Sequence, residues 1–211
     1  KTFLSLCLVV ISGYYSWINI SITNVLILPA IFVALILGFV TIYKKHLSPI
    51  TVPIYAVIQG VFLGAISYTF NSLYDGIVIT AISYTLSILF VMLTLYRTGI
   101  IKPTENFKLG VAAGTGGIAL IYLANFVMSF FGTGLSIMDI NNASMYSIGF
   151  SLLVIVMASL NLVVDFDFIE EGSEKRAPKY MEWYGAFGLL VTLIWLYLEI
   201  LRLLAKMNSR K

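Results

Sequence analysis

Seven apolar stretches recur along the chain and constrain its fold more than any other feature. They lie at about residues 2–18, 25–43, 51–70, 76–96, 108–131, 145–168 and 181–205. An apolar run of about 20 residues is what an α-helix needs to cross a bilayer. Only 11% of the residues are charged, against about 25% in a soluble domain. The sequence therefore predicts an all-α polytopic membrane protein, with seven transmembrane helices in a single domain, residues 1–211.

Positive charges are distributed unevenly among the predicted connections. The connections after spans two, four and six contain Lys44, Lys45, Arg97, Lys102, Lys108, Lys175, Arg176 and Lys179. Those after spans one, three and five contain no Lys or Arg, and their charges are Asp75 and Asp139. Since cytoplasmic connections are enriched in Lys and Arg, we predict a cytoplasmic N-terminus.

The C-terminal end conflicts with this rule. Seven spans place it outside, yet it contains Arg202, Lys206, Arg210 and Lys211. We expect the last helix to cross fully nevertheless, because the apolar stretch from Trp183 to Ala205 is long enough.

An acid lies on a polar stripe of the sixth span. At 100° per residue, Asp165 shares one helical face with Asn161, Ala158, Ser151 and Ser147. A carboxylate at membrane depth is costly and indicates a functional site. Asp165 is therefore the candidate interior acid, whereas Asp167, about 200° away, is a candidate interfacial acid. An interfacial Asp165 that pairs with Arg176 or Lys179 is the alternative.

The last span contains a second polar stripe. Its members are Gly185, Gly188, Thr192 and Glu199. If spans six and seven are antiparallel neighbours, Thr192 lies within reach of Asp165, and Glu199 lies about 10 Å farther along. Arg202 follows Glu199 by three residues, so the two can also form an ion pair at the helix end. Glu182, near the start of the span, is another candidate interfacial acid.

Small residues in the third and fifth spans predict close helix packing. Gly60 and Gly64, and likewise Gly110 and Gly114, have the four-residue spacing that lets helix backbones approach. We expect both pairs to pack within the chain rather than against a second copy.

The residues do not favour an enzyme. Cys7 is the single cysteine, and the single histidine, His46, lies in a predicted connection. Asp165 and Asp167 diverge from one helix, so they cannot face each other as a protease pair. We predict no enzymatic activity, no cofactor and no nucleic-acid partner, because the positive charges lie in the connections.

Four segments, in order, resemble a known family. They are Tyr55-Ala-Val-Ile-Gln-Gly60 with Leu63-Gly64, Gly114-Thr-Gly-Gly-Ile-Ala-Leu120, Ser159-Leu-Asn-Leu-Val-Val-Asp165, and Lys179 to Leu204. The chain resembles the Bax-inhibitor (TMBIM) family, in particular its bacterial, YccA-like branch. The resemblance implies six helices packed around a central C-terminal helix. It also implies a pH-sensitive calcium leak channel in a bacterial cytoplasmic membrane, so that the bilayer and calcium ions are the expected partners.

The resemblance also implies roles for single residues. In bacterial relatives, two aspartates in spans six and seven form a proton-sensitive pair. The first matches Asp165, but the second position falls on Thr192, and third-span relatives often have an acid where this chain has Gln59. Either Glu199 or Glu182 supplies the missing carboxylate, or proton sensing is weakened.

Calcium prefers oxygen ligands, and a leak site must bind weakly. The expected ion pathway therefore contains Asp165 and Glu199 as transient calcium ligands, with Asn161, Gln59, Thr192 and Arg202 nearby. A non-conducting regulator that binds another membrane protein, such as a membrane protease, is the alternative function. A proton-coupled exchanger is a third.

Overall fold

Seven α-helices account for most of the chain in the computed structural model, which describes residues 1–140 and 142–210. The side chains of Ile22, Asn24 and Leu26 are not described. The helices are α1 (Thr2–Ile18), α2 (Ile20–Tyr43), α3 (Ser48–Leu73), α4 (Ile77–Arg97), α5 (Glu105–Phe130), α6 (Met145–Glu174) and α7 (Tyr180–Asn208). The structure is 85% helical, with no strand in the described residues. The predicted helix order is confirmed.

Five of these helices, α3 to α7, are long and apolar enough to cross a membrane. α1 and the Ile27–Tyr43 part of α2 are also apolar but shorter. The prediction of an all-α polytopic membrane protein is therefore confirmed.

Helix α6 continues beyond its predicted end. The sequence predicted an end near residue 168, where the apolar run stops, but the helix continues to Glu174. The added residues include Glu170, Glu171 and Glu174. Glutamate is a good helix former, so the helix does not have to end where the apolar residues do.

The chain divides into two compact units. Unit one comprises Lys1–Asp75 and Phe168–Val191, and unit two comprises Gly76–Asp167 and Thr192–Lys211. Helices α6 and α7 each contribute residues to both units. The single domain and the central position of the last helix stay predictions.

In unit one, α1 and α3 pack at very short range. A Cβ atom on Gly60 would lie 1.9 Å from Ser12 Oγ and 2.5 Å from the Val9 carbonyl oxygen, and one on Gly64 would lie 2.2 Å from the Gly13 carbonyl oxygen. Hydrogen atoms are therefore the largest substituents that fit at these two positions. The predicted packing of Gly60 and Gly64 within the chain is confirmed.

In unit two, the glycines of α5 are used differently. A Cβ atom on Gly114 would meet the Met157 side chain at 2.3 Å. Apart from the neighbouring residues of α5 itself, no described atom lies within 4 Å of a Cβ built on Gly110, Gly116 or Gly117. The predicted packing of the Gly110–Gly114 pair within the chain is therefore right for Gly114 and wrong for Gly110.

Contacts within unit one show which of its helix ends lie together. In unit one, Ser48 Oγ donates to the Tyr180 carbonyl at 2.6 Å, and Lys1 Nζ lies 5.3 Å from the centre of the Trp183 ring. The start of α1, the α2–α3 connection and the start of α7 therefore share one end. This arrangement agrees with the alternation of spans predicted from the sequence.

Candidate functional site

Asp165 lies half-buried in the part of α6 that belongs to unit two. The Thr192 side chain of α7 lies beside its carboxyl group. The carboxyl oxygen Oδ2 is buried and has no hydrogen-bond partner among the described residues. The sequence predicted that Asp165 and Thr192 lie within reach of each other, and the structure brings them together. The result is a carboxyl group with an unused acceptor within an apolar helix, which is a costly arrangement.

Asn161 holds the same stripe against α5. Its Nδ2 atom donates to Thr115 Oγ1 at 2.7 Å and to the Met157 carbonyl at 2.9 Å. Farther back along α6, Ala158, Ser151 and Ser147 are completely buried. The polar stripe predicted from the helical period therefore faces other parts of the protein.

Asp167 points elsewhere, toward the start of α5. One of its oxygens, Oδ2, lies 2.7 Å from Lys108 Nζ, and this ammonium group is also 3.4 Å from Glu105 Oε1. The Asp167 side chain is 22% exposed and that of Lys108 is 28% exposed. This ion pair places the start of α5 beside the last residue of α6 that belongs to unit two.

Glu199 is the most deeply buried acid of the predicted set. Its side chain is 2% exposed, and Oε2 accepts hydrogen bonds at 2.7 Å from both Arg202 Nη1 and Tyr122 Oη. Arg202 Nη1 also donates to Tyr122 Oη at 3.2 Å. The predicted Glu199–Arg202 pair is therefore present, with Tyr122 as a third member. Glu199 Oε1 is buried and has no partner among the described residues.

Lys206 is completely buried, and the sequence interpretation missed this. Its ammonium group donates to the Ile137 carbonyl at 2.9 Å, the Ser147 carbonyl at 3.2 Å and Ser151 Oγ at 3.0 Å. The available signal was Ser151 on the α6 stripe, since a buried hydroxyl needs a partner. The Ser147 hydroxyl donates to the Ile137 carbonyl instead.

The contacts of Lys206 also concern the positive charges at the end of α7, which conflicted with the charge rule. Its contacts place the end of α7 beside the start of α6, so within unit two α7 runs back along α6 as a full crossing requires. Lys206 and Arg202 have partners within the protein rather than in a polar connection, where the charge rule is counted. The sidedness of the C-terminus stays a prediction.

Gln59 and Glu182 belong to unit one. Gln59 lies half-buried on α3, and Glu182 is exposed in the first turn of α7. The grouping of either residue with Asp165 stays a prediction. Within residues 1–140 and 142–210, no group of three or more His, Cys, Asp or Glu is placed to hold a metal ion. A calcium ion at Asp165 or Glu199 would therefore rely on isolated carboxylates.

No curated protein and no solved structure matches the chain. A family model described as "Bax inhibitor 1 like" matches residues 1–209, which include all seven helices and both carboxyl sites. The segments that resemble this family in sequence lie within that match. The chain therefore belongs to the Bax inhibitor 1 like family.

Proposed function

We propose that the protein is a pH-sensitive calcium leak channel in a bacterial cytoplasmic membrane, with its N-terminus inside. The observation that supports this most is the Asp165 carboxyl group, one oxygen of which has no hydrogen-bond partner among the described residues. It lies on a helix that is long and apolar enough to cross a membrane. Such a group attracts a cation when ionised and loses that attraction when protonated. The family is generally one of non-enzymatic membrane proteins, which supports transport rather than catalysis.

Asp165 is the calcium ligand in this proposal. Calcium takes carboxylate, carbonyl and hydroxyl oxygens, and a single carboxylate with the Thr192 hydroxyl is a weak site from which the ion can leave. Glu199 is a poorer second ligand because Arg202 and Tyr122 already use its Oε2 atom. Asn161 holds the stripe against α5. The family resemblance supports Gln59 as a residue of the proposed pathway.

The charged groups of unit two favour Asp165 as the pH-responsive group. Asp167 is paired with Lys108, and Glu199 is paired with Arg202. Lys206 has three neutral acceptors. Since a partnered charge is less free to change its protonation state without breaking contacts, a proton most simply acts on Asp165.

The test is calcium flux into liposomes that contain the purified protein and an enclosed calcium dye, at pH 6 and pH 8. We expect flux from the wild type that differs between the two pH values, and flux from Asp165→Asn that is reduced and no longer depends on pH. Asp167→Asn is the matched control, with the same chemical change two residues away, and should keep the pH response. An Asp165→Asn variant with wild-type flux and pH response would refute the proposal.

The alternative function is a non-conducting regulator that binds another membrane protein. The open positions at Gly110, Gly116 and Gly117 on α5 favour it, since small residues let a second helix approach closely. A regulator gives no flux at either pH from folded protein. An exchanger differs from both because its calcium flux requires a counter-gradient of protons.

A further inference from the structure

Unit one contains an open cavity of about 440 Å³ where α6 is joined to α7. We call it the α6–α7 cavity. Its polar walls include Lys1, Ser173, Arg176 and Glu182, and its apolar walls include Phe168 and Met181. The proposed ion pathway uses none of these residues as a ligand. The volume is in the range of small-molecule binding sites, about 300–1,000 Å³.

Arg176 reaches this cavity from an unusual backbone conformation. Its φ is 49°, whereas the other residues with positive φ in the described part of the chain are glycines. The Arg176 N–H donates to the Ser173 carbonyl at 3.1 Å, and the Ala177 N–H donates to the Gly172 carbonyl at 2.9 Å. These two bonds define the helix-ending turn in which the left-handed position is usually glycine.

The conformation of Arg176 points to a use for its side chain. A non-glycine residue in the left-handed region is disfavoured because its Cβ approaches the following carbonyl. Strained positions of this kind are concentrated at ligand-binding sites. Glycine at position 176 would relieve the backbone but would remove the guanidinium group from the cavity.

Aromatic contacts indicate that the cavity lies at the membrane surface. Lys1 lies over the Trp183 ring, Lys45 Nζ lies 5.0 Å from the centre of the Tyr184 ring, and the rings of Tyr184 and Phe168 are 5.8 Å apart. Trp and Tyr are enriched at the depth of the lipid headgroups. Lys and Arg side chains there can contact phosphate while their stems stay in apolar surroundings.

From these observations we infer that the α6–α7 cavity binds the headgroup of an anionic phospholipid. Lys1 and Arg176 give it two positive charges against one negative charge, Glu182. The phosphate contacts Arg176 and Lys1, because a guanidinium group matches phosphate oxygens with paired hydrogen bonds. The apolar side chains of Phe168 and Met181 contact the parts of the acyl chains that lie next to the lipid's glycerol backbone. Glu182 accepts hydrogen bonds from headgroup hydroxyls, which favours a glycerol headgroup. Basic pockets between membrane helices bind lipid headgroups in this way.

The experiment measures thermal unfolding of the purified full chain in detergent, with added phosphatidylglycerol, phosphatidylcholine or inorganic phosphate. A ligand that binds only the folded state raises the unfolding temperature. We expect phosphatidylglycerol to raise it for the wild type, and phosphatidylcholine or phosphate to have little effect. If inorganic phosphate gives the same rise, the site binds soluble phosphate, and if phosphatidylcholine does, charge is not recognised. Either result would overturn the inference.

Two substitutions at one position separate binding from folding. Arg176→Gly should unfold at the same temperature as the wild type or higher without lipid, and should lose apparent affinity for phosphatidylglycerol by about tenfold or more, since a charge-assisted bond is lost. Arg176→Lys keeps the charge and should retain part of the response. Lys102→Gly removes a cation from a connection in unit two and is the matched control. A folded Arg176→Gly variant with the full wild-type response would contradict the proposed site.

Discussion

Removal of the Arg202 guanidinium group should destabilise the protein more than neutralisation of its partner, Glu199. In Arg202→Met, Glu199 keeps one hydrogen bond, from Tyr122, for a carboxylate whose side chain is 2% exposed and whose Oε1 atom already has no partner in the described residues. Breaking a buried ion pair from one side costs about 3–5 kcal/mol because an uncompensated charge remains. We expect a loss of that size in the free energy of unfolding.

Substitution of Glu199 instead leaves Arg202 without its carboxylate partner. In Glu199→Gln, Arg202 keeps its contact with Tyr122, and its side chain is 29% exposed. A long basic side chain can move its charged end toward water. The loss should therefore be smaller, about 1.5–3 kcal/mol, as for a single hydrogen bond to a charged group.

The measurement is a double-mutant cycle, with unfolding followed by circular dichroism during titration of the detergent-solubilised protein with a denaturing detergent. We expect Glu199→Gln/Arg202→Met to be more stable than Arg202→Met alone, because the buried charge is then absent. The coupling energy should be about 1–3 kcal/mol. If Arg202→Met costs no more than Glu199→Gln, the assignment of Glu199 as a buried, dependent carboxylate is wrong.

Two further predictions concern contacts between helices, one of them hydrogen-bonded and the other through close packing. Lys206→Met removes two hydrogen bonds from the end of α7 to the start of α6 and one to Ile137 in the connection before α6. We expect a loss of about 1–3 kcal/mol in unfolding free energy, since membrane hydrogen bonds average about 0.6 kcal/mol each and charged donors give more. Faster amide exchange at the start of α6 would locate the effect there, and unchanged exchange would speak against the contact. Gly60→Ala should destabilise by about 1–3 kcal/mol through overpacking. Gly117→Ala, where the added Cβ has open space, should be neutral or stabilise by up to about 1 kcal/mol, and equal effects of the two substitutions would contradict the α1–α3 packing.

The number and order of helices could be predicted because the length of an apolar run sets the length of a membrane span. The same reasoning placed the end of α6 six residues early, at 168 instead of Glu174. The bilayer determines where a run must be apolar, but helix propensity and the final turn determine where the helix ends. Nothing in the local sequence marks Arg176 as the left-handed residue, since glycine is the usual signal at that position.

The candidate site was predictable to the extent that it follows from one helical period. That period grouped Asp165 with Asn161 and the two serines, and the antiparallel assumption brought Thr192 to Asp165. The contacts of Lys206 and Tyr122 could not be found in this way. They join residues 55 to 80 positions apart, and no pattern within a single helix contains that information.

The hydrogen bonds of α7 also constrain how the protein is made. Insertion of a Lys or Arg at the centre of a lone helix costs about 2.5–3.5 kcal/mol, and less near its ends. Tyr122, Ile137, Ser147 and Ser151, the partners of the polar groups of α7 in unit two, all precede it in the chain. Since a ribosome delivers the chain from its N-terminus, these partners are synthesised before α7 leaves it. The last helix can therefore enter the bilayer against acceptors that are already present, and a chain that lacks α5 and α6 should insert it poorly.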